Sequence, residues 1–434
     1  MPFTPHRPQS RLISLLIILL VVFGRALVAQ TTIPGKSKET VLYSFGGPDG
    51  AGALSGVLTD KTGSLYGTTV FGGSAGAGTI FRLTRRSSGY RESVLYSFRG
   101  GVDGAKPSGL TAGTDGSFYG ITVIGGSSNQ GTVFKLTRHK FGYRESVLYS
   151  FVGGNDGSQP VGAPVLGKDG AVYGVTQFGG TGRWGLVFKL TPSGSGYRKS
   201  TLYNFPGGAG GYLPQAGLTI DSHGTLYGTT YYGGDVSGCN GAGCGLVFKL
   251  ARQGSGYDES VLKRFKGNRD GAIPYAAVTV DETSGAIYGT TEYGGSKGLG
   301  LGTVFKLTPS GSGYSETILH RFTGKADGFV PGAPILLSPD GILYGVVALG
   351  GGGCNGIGCG AIFELTPSGS GYSFRVTYDF RRPSNGANPE NSTLIIDASG
   401  ALVGTTRSGG SKTDCSDGGP GGVHGCGTVF KLVP

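Results

Sequence analysis

One phrase recurs seven times along this 434-residue chain, and it leaves few folds open. Its "LYSF" part ends at Phe45, Phe98, Phe151, Phe205, Phe265, Phe322 and Phe380, at spacings of 53, 53, 54, 60, 57 and 58 residues. The glycine of "LYGTT" returns at Gly67, Gly120, Gly174, Gly228, Gly289, Gly345 and Gly404, and a "GTVFKLT" phrase follows each time. Helical solenoid repeats are shorter than this, whereas 50–60 residues per unit suits a propeller blade. Gly and Pro make up 110 of the 434 residues. Without a period that richness would suggest low complexity, but with one it assigns the glycines to turns and close contacts.

Each unit holds four strand-like runs. Between 216 and 265 these are "AGLTI", "TLYGTTYY", "GLVFKLA" and "YDESVLKRF", rich in Val, Leu, Tyr, Phe and Thr and separated by turn residues. The chain's first run, "ETVLYSF" at Glu39–Phe45, is of the fourth type, and the last unit stops after its third. The expectation is therefore an all-β, seven-bladed β-propeller of four-stranded blades over 39–434, closed by the N-terminal strand completing the last blade. Such closure leaves no free sheet edge.

The pattern "DGxLYGTTxxGG…GTVFKLTPSGSGY", seen at Asp340–Gly351 and Gly302–Tyr314, resembles the GloVer tandem repeat of exported bacterial proteins. The likeness covers nearly the whole mature chain. It implies export and a repeat architecture, and it brings no catalytic residues. Kelch repeats, which also place Gly-Gly after the second strand, are a lesser match, since Trp184 is the only tryptophan.

Residues 1–29 read as a signal peptide, followed by a short linker over 30–38. Arg7 and Arg11 precede an apolar run of 13 residues, Leu12–Gly24, and small residues close the segment. A membrane-spanning helix needs about 20 residues, so cleavage is expected, with no stable membrane span afterwards and a secreted or cell-envelope location. No cysteine precedes Cys239 to take a lipid, and "TVFKLVP" offers no hydrophobic tail. Removing the leader's three arginines leaves 34 basic against 26 acidic residues, a net +8. Much of the excess sits at the centre of "FKL" (Arg82, Lys135, Lys189, Lys249, Lys306 and Lys431, with Glu364 the exception), spread evenly along the chain. An even spread is no nucleic-acid footprint, and no nucleic-acid partner is expected.

Three features look like chemistry. The loop "GGSSNQGT" at Gly125–Thr132 has phosphate-loop spacing, but it lacks the lysine and runs into a strand rather than a helix N-terminus. The six cysteines form local pairs, Cys239 with Cys244, Cys354 with Cys359, and Cys415 with Cys426, all between second and third strands. An even count in an exported chain points to disulfides. Asp49, Asp103, Asp156, Asp270 and Asp327 recur in "DG" turns. They are candidate Ca2+ ligands if they gather at one mouth of the ring, and plain turn residues otherwise.

No catalytic set emerges. His139, His223, His320 and His424 fall at unrelated repeat positions, and the innermost runs are small and apolar except around Glu390 and Asn391. Recognition is the better-supported class. The second-to-third loops and the "DG" turns emerge on one face, which collects Trp184, Arg183, Phe71, Phe178, Tyr232 and Tyr293. Aromatic rings there can stack on sugars or anchor a protein. The expected protein is a monomeric, non-enzymatic binding module for extracellular polysaccharide or a cell-surface protein. The alternatives are a propeller enzyme, such as a polysaccharide lyase or metal-dependent hydrolase with its site at the channel mouth, and a structural envelope component.

Overall fold

The computed structural model describes residues 37–434 apart from 255, 297–299, 325, 413–414 and 416–423. The proposed leader and residues 30–36 lie outside the described residues. Seven four-stranded antiparallel sheets make seven blades. In blade 4 the strands are Thr219–Ile220, Leu226–Thr230, Leu246–Gln253 and Gly256–Arg264, in that order from the axis outward. Blade 7 takes its outermost strand, Lys38–Ser44, from the N-terminus, paired with Thr428–Val433. The ring closes as the repeat offset predicts.

Aromatic packing joins the blades. The phenylalanine ending each "LYSF" packs its ring against the phenylalanine of "FKL" in the next blade, as in Phe205–Phe248, and Phe45–Phe81 carries the pattern across the closure. The seven centroid distances run from 5.0 to 5.4 Å. The "LYGTT" glycine is needed beneath these rings. A Cβ on Gly228 would lie 2.6 Å from Phe248 Cζ, and one on Gly289 would lie 2.4 Å from Phe305 Cζ. Close approach, rather than a special φ, explains this glycine.

A backbone hydrogen bond repeats the joint nearer the axis. Gly52, Lys106, Gln159, Leu213, Ile273, Val330 and Asn388 all sit at positive φ. Each donates its amide to a carbonyl of the preceding blade at 2.8–3.3 Å. Left-handed backbone is unfavourable for the side-chain-bearing six, and the inter-blade bond offsets that strain.

Charged groups complete the joint at the outer rim. Glu92 faces the Tyr43–Asp49 pair of the blade before it, and Glu145 faces Tyr96–Asp103. Lys199 instead bridges to Asp156 at 3.0 Å, and Glu316 reaches Lys263 at 2.7 Å. Phe374 stacks on His320 at 3.6 Å, with Asp327 behind the imidazole. The pairings differ from blade to blade, but the position does not.

All three disulfides form, with Cα–Cα distances of 5.2–5.3 Å. They fit an oxidising compartment and hence an exported protein. Each closes a short ring, so replacing both Cys239 and Cys244 by serine should lower stability by about 2 kcal/mol on the chain-entropy relation. Urea unfolding of the double variant checks this, and an unchanged midpoint would refute it.

Candidate functional site

A cavity of about 370 Å³ lies on the axis and draws residues from all seven blades, among them Leu54, Lys106, Val161, Gln215, Tyr275, Gly332 and Asn391. It is walled by residues at or just before the first strand of each blade and by the second-strand ends of blades 1 to 3, Val70, Val123 and Gln177. On the second strands, the residue following the "TT" or its equivalent pair is Val70, Val123, Gln177, Tyr231, Glu292, Ala348 and Arg407 from blade 1 to blade 7. The repeats keep their phrase up to this position and then diverge, and the ionisable side chains of the series, Tyr231, Glu292 and Arg407, all fall in blades 4 to 7.

Blades 5 to 7 supply the polar end. Glu292 is only 7 % exposed; its amide donates to the carbonyl of Ile273, but its carboxylate has no hydrogen-bond or ion-pair partner among the described residues. Burial, and then the nearby charge of Glu390, pushes its carboxyl up to about 7. Glu390 is paired instead, with Arg407 Nη1 3.0 Å from its Oε2. Tyr275 lines the cavity beside them, and burial together with Glu390 and Glu292 raises its phenol. Gly332 marks where the groups meet. A Cβ there would come within 3.4 Å of Asn391 Oδ1, 3.5 Å of Glu292 Oε1 and 3.9 Å of Tyr275 Cδ1. With no Cβ, that space is an open notch edged by two oxygens and a ring.

Aromatic rings lead to this notch from the face that carries the second-to-third loops. Trp184 is 44 % exposed and lies 4.9 Å from Tyr212. Tyr212 is 5.5 Å from Tyr232, Tyr232 is 4.6 Å from Tyr231, and Tyr231 is 6.0 Å from Tyr275, all between ring centroids. The backbone holds Trp184 in place: its carbonyl accepts from Leu213, and its indole lies across Gly207, where a Cβ would be 2.7 Å from Nε1. Tyr212 donates its hydroxyl to the carbonyl of Ala242 at 3.1 Å, inside the loop that Cys239–Cys244 closes. The stapled loop of blade 4 is thus a buttress for the aromatic run.

The residues expected at the site divide cleanly. Trp184 and Tyr232 belong to the run, and Glu390 and Asn391 to its polar end. Tyr293 stands beside them, its phenol raised by burial, by Glu292 and by Tyr232. Arg183 adopts positive φ in the Trp184 loop. Phe71 lies apart, in the packing between blades 7 and 1 with Lys106 Nζ 5.6 Å from its ring centre, and Phe178 is exposed on blade 3. Tyr212, Tyr231, Tyr275, Glu292 and Arg407 were not anticipated. Aligning the seven second-strand ends, where each blade departs from its repeat, is the signal that finds three of them.

The "DG" aspartates do not gather as cation ligands. Asp49, Asp103 and Asp156 each accept from a tyrosine of their own blade joint, Asp270 pairs with Lys263, and Asp327 with His320. All five also accept a backbone amide of their own turn. The turn fixes each of them at the outer rim of its own blade, away from the axis. Among the described residues no three His, Cys, Asp or Glu side chains come together as a metal site. Three of the "FKL" lysines are likewise engaged within their blades, Lys135 with Asp115 at 2.7 Å, Lys189 with Asp169 at 2.9 Å and Lys431 with Asp397 at 2.6 Å.

Seven such blades around an axial pocket define a tandem-repeat β-propeller. The chain belongs to the Gloeobacter/Verrucomicrobia repeat family, whose pattern matches residues 23–241, 113–300 and 236–434. This is the GloVer repeat that the recurring phrase resembles. No curated protein matches the sequence. Among solved structures, a putative 6-phosphogluconolactonase from Bacteroides uniformis is 16 % identical, with a TM-score of 0.52, over 79 % of this chain and 88 % of that one. A fungal alcohol oxidase of the AA5 family, solved with copper, is 13 % identical, with a TM-score of 0.55, over 92 % of this chain and 77 % of the other. At these identities the likeness shows the fold alone. Among the described residues no helix is long and apolar enough to cross a membrane.

Proposed function

We propose that the protein is an exported, non-enzymatic binding module for extracellular saccharide, which it receives at the axial pocket along the run from Trp184 to Tyr275. The continuity of that run carries the reading. Five rings at 4.6–6.0 Å intervals, tilted 35–89° to one another, one of them 44 % exposed and one on the cavity wall, form a stepped platform against which successive sugar rings can pack. Hydroxyl-binding groups stand where the platform ends. A glycan array with Trp184→Ala and Tyr231→Ala as controls is the test. Binding to a defined set of oligosaccharides, weakened at least tenfold by either substitution, is expected. No glycan bound, or binding indifferent to both substitutions, would defeat the proposal.

A second reading, saccharide cleavage, draws on one observation: two carboxylates of unlike environment adjoin the pocket. Glu292 is buried and shifted to about 7, whereas Glu390 is paired with Arg407. Glycosidic hydrolysis needs such a division between proton donor and ionised partner. Release of reducing ends from any bound oligosaccharide, lost in Glu292→Gln, would favour the enzyme over the binding module.

A further inference from the structure

The pocket's polar end is one charge out of balance. Two carboxylates, Glu292 and Glu390, stand there, and the one guanidinium beside them, Arg407, is taken up by Glu390 at 3.0 Å. The cation on the cavity wall, Lys106, belongs to blade 2 and sits over Phe71. Glu292 is therefore a carboxylate 7 % exposed with no counter-ion among the described residues, and burying such a group unpaired is unfavourable. It adjoins an open notch rather than packed core. The notch at Gly332 is flanked by Glu292 Oε1 and Asn391 Oδ1, with the ring of Tyr275 as its third side. The rings of Tyr231 and Tyr293 also lie close enough to Glu292 to feel its charge.

Two oxygens and a π face make an incomplete shell for a small organic cation. An ammonium group brings three donors and a positive charge. It would satisfy both oxygens, and the tyrosine faces around it would add cation–π attraction. A divalent metal fits less well, since Ca2+ takes six to eight oxygen ligands and the described residues provide no cluster of three acidic or imidazole groups.

We propose that the pocket selects a saccharide bearing a free ammonium group, an amino sugar or a de-N-acetylated glycan, with Glu292 as its counter-ion at the Gly332 notch. This rests on the saccharide-binding reading above and narrows it to one ligand class. N-acetylation removes the charge and adds bulk at the same atom, so the site rejects the acetylated sugar. The facing groups also make binding proton-linked. Burial and then Glu390 raise the Glu292 carboxyl while Arg407 balances Glu390, and the phenols of Tyr231, Tyr275 and Tyr293 stay neutral, so Glu292 is the group that titrates as the ammonium enters. Below neutrality, binding displaces its proton.

Titration calorimetry of the full mature chain tests this with three tetrasaccharides of equal length: fully deacetylated chitosan, N-acetylated chitin and neutral cellotetraose. Chitosan tetramer should bind at least tenfold tighter than the other two. Its heat at pH 6 should depend on the buffer's ionisation enthalpy, as proton release requires. Glu292→Gln should abolish both the preference and the proton release. Gly332→Ala, which keeps the carboxylate but fills the notch, should weaken chitosan binding and keeps the test valid if the first variant folds poorly. Equal binding of all three sugars, unchanged in Glu292→Gln, overturns the ammonium inference and leaves the saccharide reading standing. No binding by any of them overturns both. Spermidine binding as tightly as chitosan tetramer, with Trp184→Ala silent, overturns the requirement for a sugar.

Discussion

Phe248→Ala should destabilise the ring by about 3–5 kcal/mol, and the effect will be coupled to a glycine 20 residues earlier. Phe248 is fully buried, packs on Phe205 of the preceding blade at 5.3 Å, and lies over Gly228. A Cβ on Gly228 would sit 2.6 Å from its Cζ, so Gly228→Ala forces the ring to move and costs about 1–3 kcal/mol by overpacking. Once the ring is gone the atom nearest the added methyl is Leu218 Cδ2, at 3.1 Å, a side-chain end that can move into the vacated space. The double variant should therefore be no less stable than Phe248→Ala alone, an interaction energy that only contacting residues show. Equilibrium urea unfolding of the four proteins completes the cycle. Additive losses would show that the glycine serves another purpose. Because each blade meets its neighbour through the same Phe–Phe–Gly joint, the result extends to all seven.

That joint explains why so much of the fold can be read from the sequence. Every component of a blade joint is supplied by a phrase that must be repeated for the ring to close: the phenylalanine of "LYSF", the phenylalanine of "FKL" and the glycine of "LYGTT". Selection for identical packing leaves identical letters. The offset of one strand between the two ends of the chain likewise has a single physical meaning, the pairing of Lys38–Ser44 with Thr428–Val433. The cysteine pairs were legible because spacing brings them close whatever the loop does. The site follows the opposite logic. Glu292, Tyr231 and Arg407 stand one step beyond the "TT" or its equivalent, where the blades differ, and Tyr275 lies just before the apolar first-strand run of blade 5. Judged by the runs themselves, the axis looks apolar; its polar groups sit at their edges. Tyr212 joins Trp184 to Tyr232 only through the rotation between blades 3 and 4, which no local spacing encodes. The "DG" aspartates show the converse case. Their recurrence reflects a repeated joint, so recurrence by itself pointed away from a shared site.

The protein should be most stable near pH 5 and weaken as the pH rises to 8. Glu292, Glu92 and Glu145 each have a folded-state carboxyl raised to about 7, by burial first and by a neighbouring carboxylate second. In the unfolded chain a glutamate titrates near 4.5, so between pH 4.5 and 7 the folded state holds protons that the unfolded state has released. Stability then falls with rising pH across that window. For Glu292, which is well buried, the full span is worth about 3 kcal/mol. Glu92 and Glu145 stand only half-buried at the outer rim, where solvent screening reduces each to on the order of 1 kcal/mol. On the acid side the sign reverses. Asp60, Asp115, Asp169, Asp281 and Asp397 have lowered carboxyls, Asp397 to about 2. Their contribution is present above about pH 4 and is lost as the pH falls further. His320 is kept neutral by burial, so protonation of the unfolded chain through about 6.5 removes some stability in the same direction. One histidine opposes these three glutamates and Glu39, Glu259 and Glu316, whose carboxyls burial also raises, which sets the maximum on the acid side of neutrality. Urea unfolding from pH 4 to 9 measures the profile, and Glu292→Gln isolates its largest part. The glutamine needs no proton to remain neutral, so the stability difference between variant and wild type should grow in the variant's favour by about 3 kcal/mol from pH 4.5 to 8. A constant difference would mean that Glu292 ionises in the fold as readily as in water. It would then have a counter-ion already, and the pocket would have no charge left for a ligand to balance.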